Sequence, residues 1–259
     1  MMFQLNRRYP MTHRLAFVFK IAAVLSALSE RGLQPAMGNC SVNAACLLAT
    51  FMLLSVGCQT HPLSDCVIGP SYQVSNVYEL APRLPERLRR VALLPLAANP
   101  DQPETQAGQE ALTPVLQSEL LKTQRFEVVL LSPDQLQLWT GRLAWSTDQK
   151  LPPDFFKVLH EEAGVDAVLF GRLTIFRPYP PVAVGWRLTL VDCIDQQILW
   201  ATDEVFDSGD RTVVNAARRF QQSQQREQGA LEDSTSILNS PRRFGQYTAC
   251  TLLMTLPAR

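Results

Sequence analysis

Residues 165–206 read VDAVLFGRLTIFRPYPPVAVGWRLTLVDCIDQQILWATDEVF, and the fold turns on this stretch. Residues 165–176 are rich in Val, Leu, Ile and Phe, the composition of a well-covered strand. After the turn chemistry of Pro178-Tyr179-Pro180-Pro181, residues 184–191 set Trp186, Leu188 and Leu190 against Arg187 and Thr189 in strict alternation. Residues 194–197 form a tight turn, and residues 198–206 a further strand. Three strands on such short connections predict an antiparallel meander, because a parallel return needs a crossover of about a dozen residues or more.

Upstream, residues 90–94 (RVALL) are a short apolar run stopped by Pro95, as a buried strand would be. Residues 99–107 read as a polar loop. Residues 109–123 place Leu112, Val115, Leu116, Leu120 and Leu121 at helical spacing, with Pro114 expected in the first turn or at a kink. Residues 126–131 (FEVVLL) are a second strand. Ser132-Pro133-Asp134-Gln135 then combines an N-cap serine, a proline at the first helical position and a glutamine three residues on. Residues 141–150 read as loop. Pro152-Pro153-Asp154 opens a helix carrying Phe155, Phe156, Val158 and Leu159, which Gly164 ends. Downstream, residues 212–225 form an amphipathic helix through Val213, Ala216, Ala217 and Phe220. Residues 226–236 are polar, and Ser240-Pro241 caps a last helix with Phe244, Tyr247, Leu252 and Leu253.

The order β-α-β-α-α-β-β-β-α-α predicts a single three-layer α/β domain over residues 90–259. Its sheet is mixed, a parallel β-α-β part plus a C-terminal antiparallel meander, with helices packed on the sheet. Residues 72–90, rich in Pro, Arg and Leu, read as an extended strap onto that domain.

The N-terminus has a different character. Residues 44–56 (AACLLATFMLLSV) are uncharged and apolar, long enough for a signal-peptide core and short of the roughly 20 residues of a membrane span. They run into Leu54-Ser55-Val56-Gly57-Cys58, which resembles a bacterial lipobox, with Ser55 where an aliphatic residue is usual. That resemblance implies removal of residues 1–57 as a leader, lipidation of Cys58, and a lipidated tether and strap over residues 58–89. Each acyl CH₂ buried in the bilayer contributes about 0.8 kcal/mol. Gln59 after the cysteine implies sorting toward an outer membrane. The leader is long for its class. A start at Met11 keeps Arg14 and Lys20, whereas Met37 leaves no basic residue before the apolar run.

Charge and cysteine usage narrow the function classes. Residues 1–58 hold five basic residues and one acidic one, leaving a body with 19 basic and 23 acidic residues, net −4. Such a body offers no footprint for nucleic acid and no polybasic patch for anionic lipid. Cys66, Cys193 and Cys250 follow Cys58 in no zinc or C-x-x-C spacing. Cys193 and Cys250 read as buried thiols, with a disulfide between them as the alternative.

No constellation specifies a reaction, cofactor or metal. His61 lies in the tether, and His160, beside Glu161 and Glu162, lacks the second histidine of a metalloprotease helix and reads as a surface residue. There is no G-x-S-x-G and no P-loop. Asp203, Glu204, Asp207 and Asp210 fit no calcium loop and read as acidic residues before a helix start. An acid–base role for Asp203 and Asp207 is the enzymatic alternative. Arg177, Pro178, Tyr179 and Pro180 are the candidate partner-binding residues, since Tyr and Arg are favoured at interface hot spots.

The blocks Arg90-Val91-Ala92-Leu93-Leu94-Pro95, Arg125-Phe126-Glu127-Val128-Val129, residues 163–171 (AGVDAVLFG), Leu188-Thr189-Leu190-Val191-Asp192 and Ile198-Leu199-Trp200-Ala201, in this order and spacing, resemble a group of bacterial envelope proteins. The group comprises the curli-secretion lipoprotein CsgG, the penicillin-binding-protein activator LpoB and the N-terminal domain of TolB. The resemblance covers residues 90–206. It implies a periplasmic, non-enzymatic binding or assembly factor on a lipid anchor, with envelope proteins as partners and oligomerisation open. A secretion-channel subunit is the alternative. Membrane-crossing hairpins need roughly 9–11 residues per strand beyond the sheet, and the 178–181 connection leaves no room for them.

Overall fold

The computed structural model describes residues 67–99, 102–228 and 233–259. The leader, Cys58, the tether up to residue 66 and the 229–232 stretch lie outside the described residues. Strands β1 (Val77–Glu79), β2 (Arg90–Leu93), β3 (Glu127–Leu130), β4 (Ala167–Arg177), β5 (Ala183–Asp192) and β6 (Ile198–Asp207) form one sheet in the order β1-β6-β5-β4-β2-β3. β2 runs parallel to both β3 and β4. β4, β5 and β6 form the expected antiparallel meander, and β1 adds to it antiparallel through β6. The architecture is therefore the mixed α/β sheet that the sequence order predicts.

Helices cover both faces. On one, Leu112, Leu116 and Leu120 of α1 (Pro103–Lys122), Val213 of α4 (Arg211–Gln228) and Phe244 and Leu252 of α5 (Pro241–Leu253) share a core with Val91, Leu169, Trp186, Trp200 and Phe206. On the other, Leu136 of α2 (Pro133–Thr140) and Phe155 and Leu159 of α3 (Phe155–Ala163) pack with Ala92, Leu94, Val168 and Phe170. Successive strand residues alternate between the two cores, as the pleat requires. Covered on both sides, β2 has no polar face, which explains its unbroken apolar sequence. The buried indoles are satisfied: Trp186 Nε1 donates to Thr248 Oγ1 at 2.8 Å and Trp200 Nε1 to Thr255 Oγ1 at 3.1 Å.

The cap of α2 is the one the sequence announces. Ser132 Oγ accepts from Gln135 N at 3.2 Å, and Gln135 Oε1 accepts from Ser132 N at 3.0 Å. Gly164 ends α3 in the left-handed region, φ 60°. α1 departs from expectation. It begins at Pro103, inside the stretch read as loop, because Pro103 takes the first helical turn and Thr105 Oγ1 donates back to Gln102 O at 2.8 Å. Gly108 lets this early part lie on the sheet, where an added Cβ would stand 2.5 Å from Phe176 Cγ. Pro114 is well inside the helix, neither in its first turn nor at its end. It is exposed, so the carbonyl left without a donor faces water.

Residues 72–90 are extended in large part, and they also belong to the fold. They supply β1 and bury Leu84 and Leu88 in the larger core. Cys193 and Cys250 are free thiols, the first buried and the second half-buried. Burial, with Asp192 and Asp166 nearby, pushes the Cys193 thiol up to about 12.

Candidate functional site

The β4–β5 hairpin closes through the Arg177↔Ala183 pair, and its tip is the Pro-Tyr-Pro-Pro segment the sequence singles out. Val182, fully buried, pins the tip to the larger core. Arg177 fastens it from the side: Nη2 donates to Asp207 Oδ2 at 2.8 Å and Nε to Pro181 O. The 208–210 turn is tied to the same place, with Ser208 N donating to Val182 O and Gly209 N to Asp207 Oδ1. The Pro180–Pro181 peptide is cis. Arg177, Tyr179 and Pro180 are exposed and Pro178 half-buried, and Tyr179 projects with 79% of its surface in solvent. A rigidly mounted, protruding aromatic has little conformational entropy to lose on binding, which suits an interface anchor.

The sheet face beside the tip is partly open. Its next row sets exposed Ile175 and Val205 on either side of Gly185. The row after that aligns Arg172, Arg187 and Asp203, and Asp148 bridges the two arginines. Arg187 Nε donates to Asp203 Oδ2 at 2.7 Å, and that hydrogen bond raises the guanidinium above its ordinary value. These charges neutralise one another, leaving a polar but balanced surface.

The acidic stretch does not converge on a site. Asp203 and Glu204 are neighbours in a strand and point to opposite faces. Asp207 is committed to Arg177. Asp210 alone caps α4, with Oδ1 accepting from Thr212 N at 2.7 Å and Thr212 Oγ1 at 2.9 Å, which lowers its carboxyl below the ordinary range. The reading of all four as helix-start residues therefore holds only for Asp210. Asp203 and Asp207 point to one face, but each is taken by its own arginine. Among the described residues no His, Cys, Asp and Glu group could hold a metal. None of their helices is long and apolar enough to cross a membrane. His160 is exposed, with Nδ1 2.7 Å from Val165 O.

Glu204 has a structural role that sequence reasoning misses. Only 9% exposed, it holds the strap: Oε1 accepts from Ser75 N (2.6 Å), Asn76 N (3.0 Å) and Ser75 Oγ (3.1 Å), and Oε2 from Tyr72 OH (2.9 Å). The strap is further stitched to α4 by Tyr72 N to Thr212 O and by Asn215 Nδ2 to Pro70 O.

These features define an α/β domain on a mixed six-stranded sheet with a mounted hairpin tip. No known protein family and no curated protein matches the chain. Among solved structures it is similar to the PelC dodecamer from Paraburkholderia phytofirmans, at 14% identity over 73% of this chain and 97% of that one, TM-score 0.37. It is also similar to lipoprotein GNA1162 from Neisseria meningitidis, at 17% identity over 46% and 79%, TM-score 0.29. TolB from Acinetobacter baumannii matches at 15% identity over 61% of this chain and 32% of that one, TM-score 0.27. These likenesses are too distant to transfer a role.

Proposed function

We propose that this chain is a membrane-tethered periplasmic lipoprotein, acting as a non-catalytic protein-binding or assembly factor of the bacterial cell envelope. One observation carries the reading: the uncharged 44–56 run ends at Gly57-Cys58 and gives way at once to a polar, proline-containing tether. The −4 body supports it, because without a basic patch the attachment to a membrane falls to the acyl chains. The exposed tip Arg177-Pro178-Tyr179-Pro180 is the surface offered to an envelope protein, and Gln59 after the cysteine supports a place on the outer membrane, facing the periplasm.

Intact-mass measurement on the membrane fraction tests the anchor. The expected product begins at Cys58 and carries diacylglycerol, and Cys58→Ser moves the protein out of the membrane fraction. An uncut, unacylated cytosolic product overturns the proposal. The binding surface is tested separately by pull-down from solubilised membranes. Tyr179→Ala should lose a captured envelope protein while its melting temperature stays unchanged, and an identical set of captured proteins would reject this surface.

A further inference from the structure

β3 is an edge strand whose ladder partner is β2. Glu127 N donates to Arg89 O at 2.8 Å and Leu131 N to Leu93 O at 3.2 Å. Along a parallel strand the bonding direction alternates, so the backbone groups of Val128 and Leu130 point away from the sheet. Natural edges are blunted by lysine, proline, bulges or a covering segment. β3 is short and reads Glu-Val-Val-Leu, with no lysine, no proline and no bulge, and beyond Glu127 its side chains are all apolar. Its one charge, Glu127, is drawn back to Arg90 Nε at 3.3 Å. Leu130 is 44% exposed, and Leu121 of α1 is 52% exposed. The two line a groove of about 530 Å³ with Pro114, Gln117, Ser118 and Lys122. Lys122 is neutralised by Glu119 at 2.5 Å, so the groove is effectively uncharged.

We propose that β3 is a self-association edge, pairing antiparallel with β3 of a second copy of this chain about a two-fold axis through Val129. The edge is complementary to itself. A two-fold axis normal to the sheet keeps each face continuous, so opposed residues must come from the same face. Val128 packs toward the α1 core and Val129 toward the α2–α3 core. With Val129 on the axis, Val128 lies opposite Leu130 of the partner subunit and the reverse. Both outward-facing pairs are then hydrogen-bonded, closing four backbone bonds. Glu127 meets an apolar residue, so no like charges are opposed. Sliding the register toward the C-terminal end would require the Ser132 N–H, which Gln135 Oε1 already holds at 3.0 Å. The two uncharged grooves join at the seam and cover Leu121 and Leu130. A foreign peptide could use the same backbone groups, but the self-matched register and the lack of charge favour a second copy. The proposal is independent of the lipid anchor.

Sedimentation of the detergent-solubilised full chain over a micromolar concentration series tests it. The wild type should form a dimer. Leu130→Lys, at an exposed position, should weaken association at least ~10-fold, equivalent to about 1.4 kcal/mol. Leu130→Pro, which deletes an outward N–H and spares the β2 ladder, should do the same with an unchanged circular-dichroism spectrum. Val129→Cys should oxidise to a covalent dimer that the wild type does not form, since non-hydrogen-bonded antiparallel partners lie ~4.5 Å apart at Cα, within disulfide reach. A wild type monomeric throughout overturns the proposal. So does an oligomer that neither Leu130 variant weakens and Val129→Cys does not trap.

Discussion

Replacing Glu204 with alanine should free the strap while leaving the sheet folded. The carboxylate accepts four hydrogen bonds, all from residues 72–76. Bonds to a charged acceptor are worth about 1.5–3 kcal/mol each, but that total is never realised as a loss. Ser75 and Asn76 are exposed and regain water once the strap lifts. The cost is therefore limited to what holds the strap down, about 3 kcal/mol in order of magnitude. Glu204→Gln keeps an acceptor for Ser75 and Asn76 and lets the Tyr72 hydroxyl turn to accept, so it should lose only charge assistance, about 1–2 kcal/mol. In hydrogen exchange, 3 kcal/mol corresponds to roughly a hundredfold faster opening. Amides of residues 72–80 should show it in the alanine variant, and those of β4 and β5 should not.

The same contact makes the strap acid-sensitive. Burial pushes the Glu204 carboxyl up, but the amides of Ser75 and Asn76 and the hydroxyls of Tyr72 and Ser75 outweigh it and hold the group below its ordinary 4.5. Because the folded value is the lower one, the stabilisation is complete above the unfolded value. It drains away as pH falls through 4.5 toward the folded value. Strap exchange in the wild type should rise across that window, while Glu204→Gln should lack this component. Unchanged exchange at residues 72–80 in Glu204→Ala would refute the reasoning.

Three further outcomes follow from the cores. Thr248→Val removes the acceptor of the fully buried Trp186 indole and should cost about 1–3 kcal/mol in chemical denaturation. A smaller loss would mean that another acceptor is reached. Gly245→Ala gains about 1 kcal/mol in helix propensity but drives a methyl into Leu112 Cδ2, so overpacking of about 1–3 kcal/mol should win and lower the melting temperature. Cys193, with its thiol pushed up to about 12, should resist alkylation at neutral pH until denaturant is added, and prompt labelling would contradict its burial.

Strands β2 to β6 and the capped helices were legible because local chemistry marks them. Trp186, Leu188 and Leu190 alternate with Arg187 and Thr189, and every one of these residues sits in β5. Ser132 and Gln135 carry their capping box in four consecutive residues. The start of α1 was hidden because its first two turns rest on the sheet through Gly108 and lack a leucine stripe. Only the proline at 103 marked it. β1 was hidden more deeply. Val77-Tyr78-Glu79 is too short to show a period, and what fixes the segment is a carboxylate 129 residues from Ser75. Such pairing is set by the long-range satisfaction of one buried charge, to which a sequence window is blind.

The acidic stretch shows the opposite error, in which nearness in sequence suggests a site that the backbone takes apart. Once residues 198–206 are read as a strand, Asp203 and Glu204 must point to opposite faces, whatever surrounds them. The separation was therefore available in advance from the pleat alone. The structure shows what each carboxylate does instead. Asp203 closes an ion pair with Arg187 on the open face, Glu204 binds the strap on the covered face, Asp207 braces the hairpin tip through Arg177, and Asp210 caps α4. Each has a structural partner that accounts for its charge. The arginine contacts of Asp203 and Asp207 tie β6 to the neighbouring strand and to the hairpin tip. Pairing in the pleat, and not nearness in the chain, thus decides which charges meet at this end of the sheet.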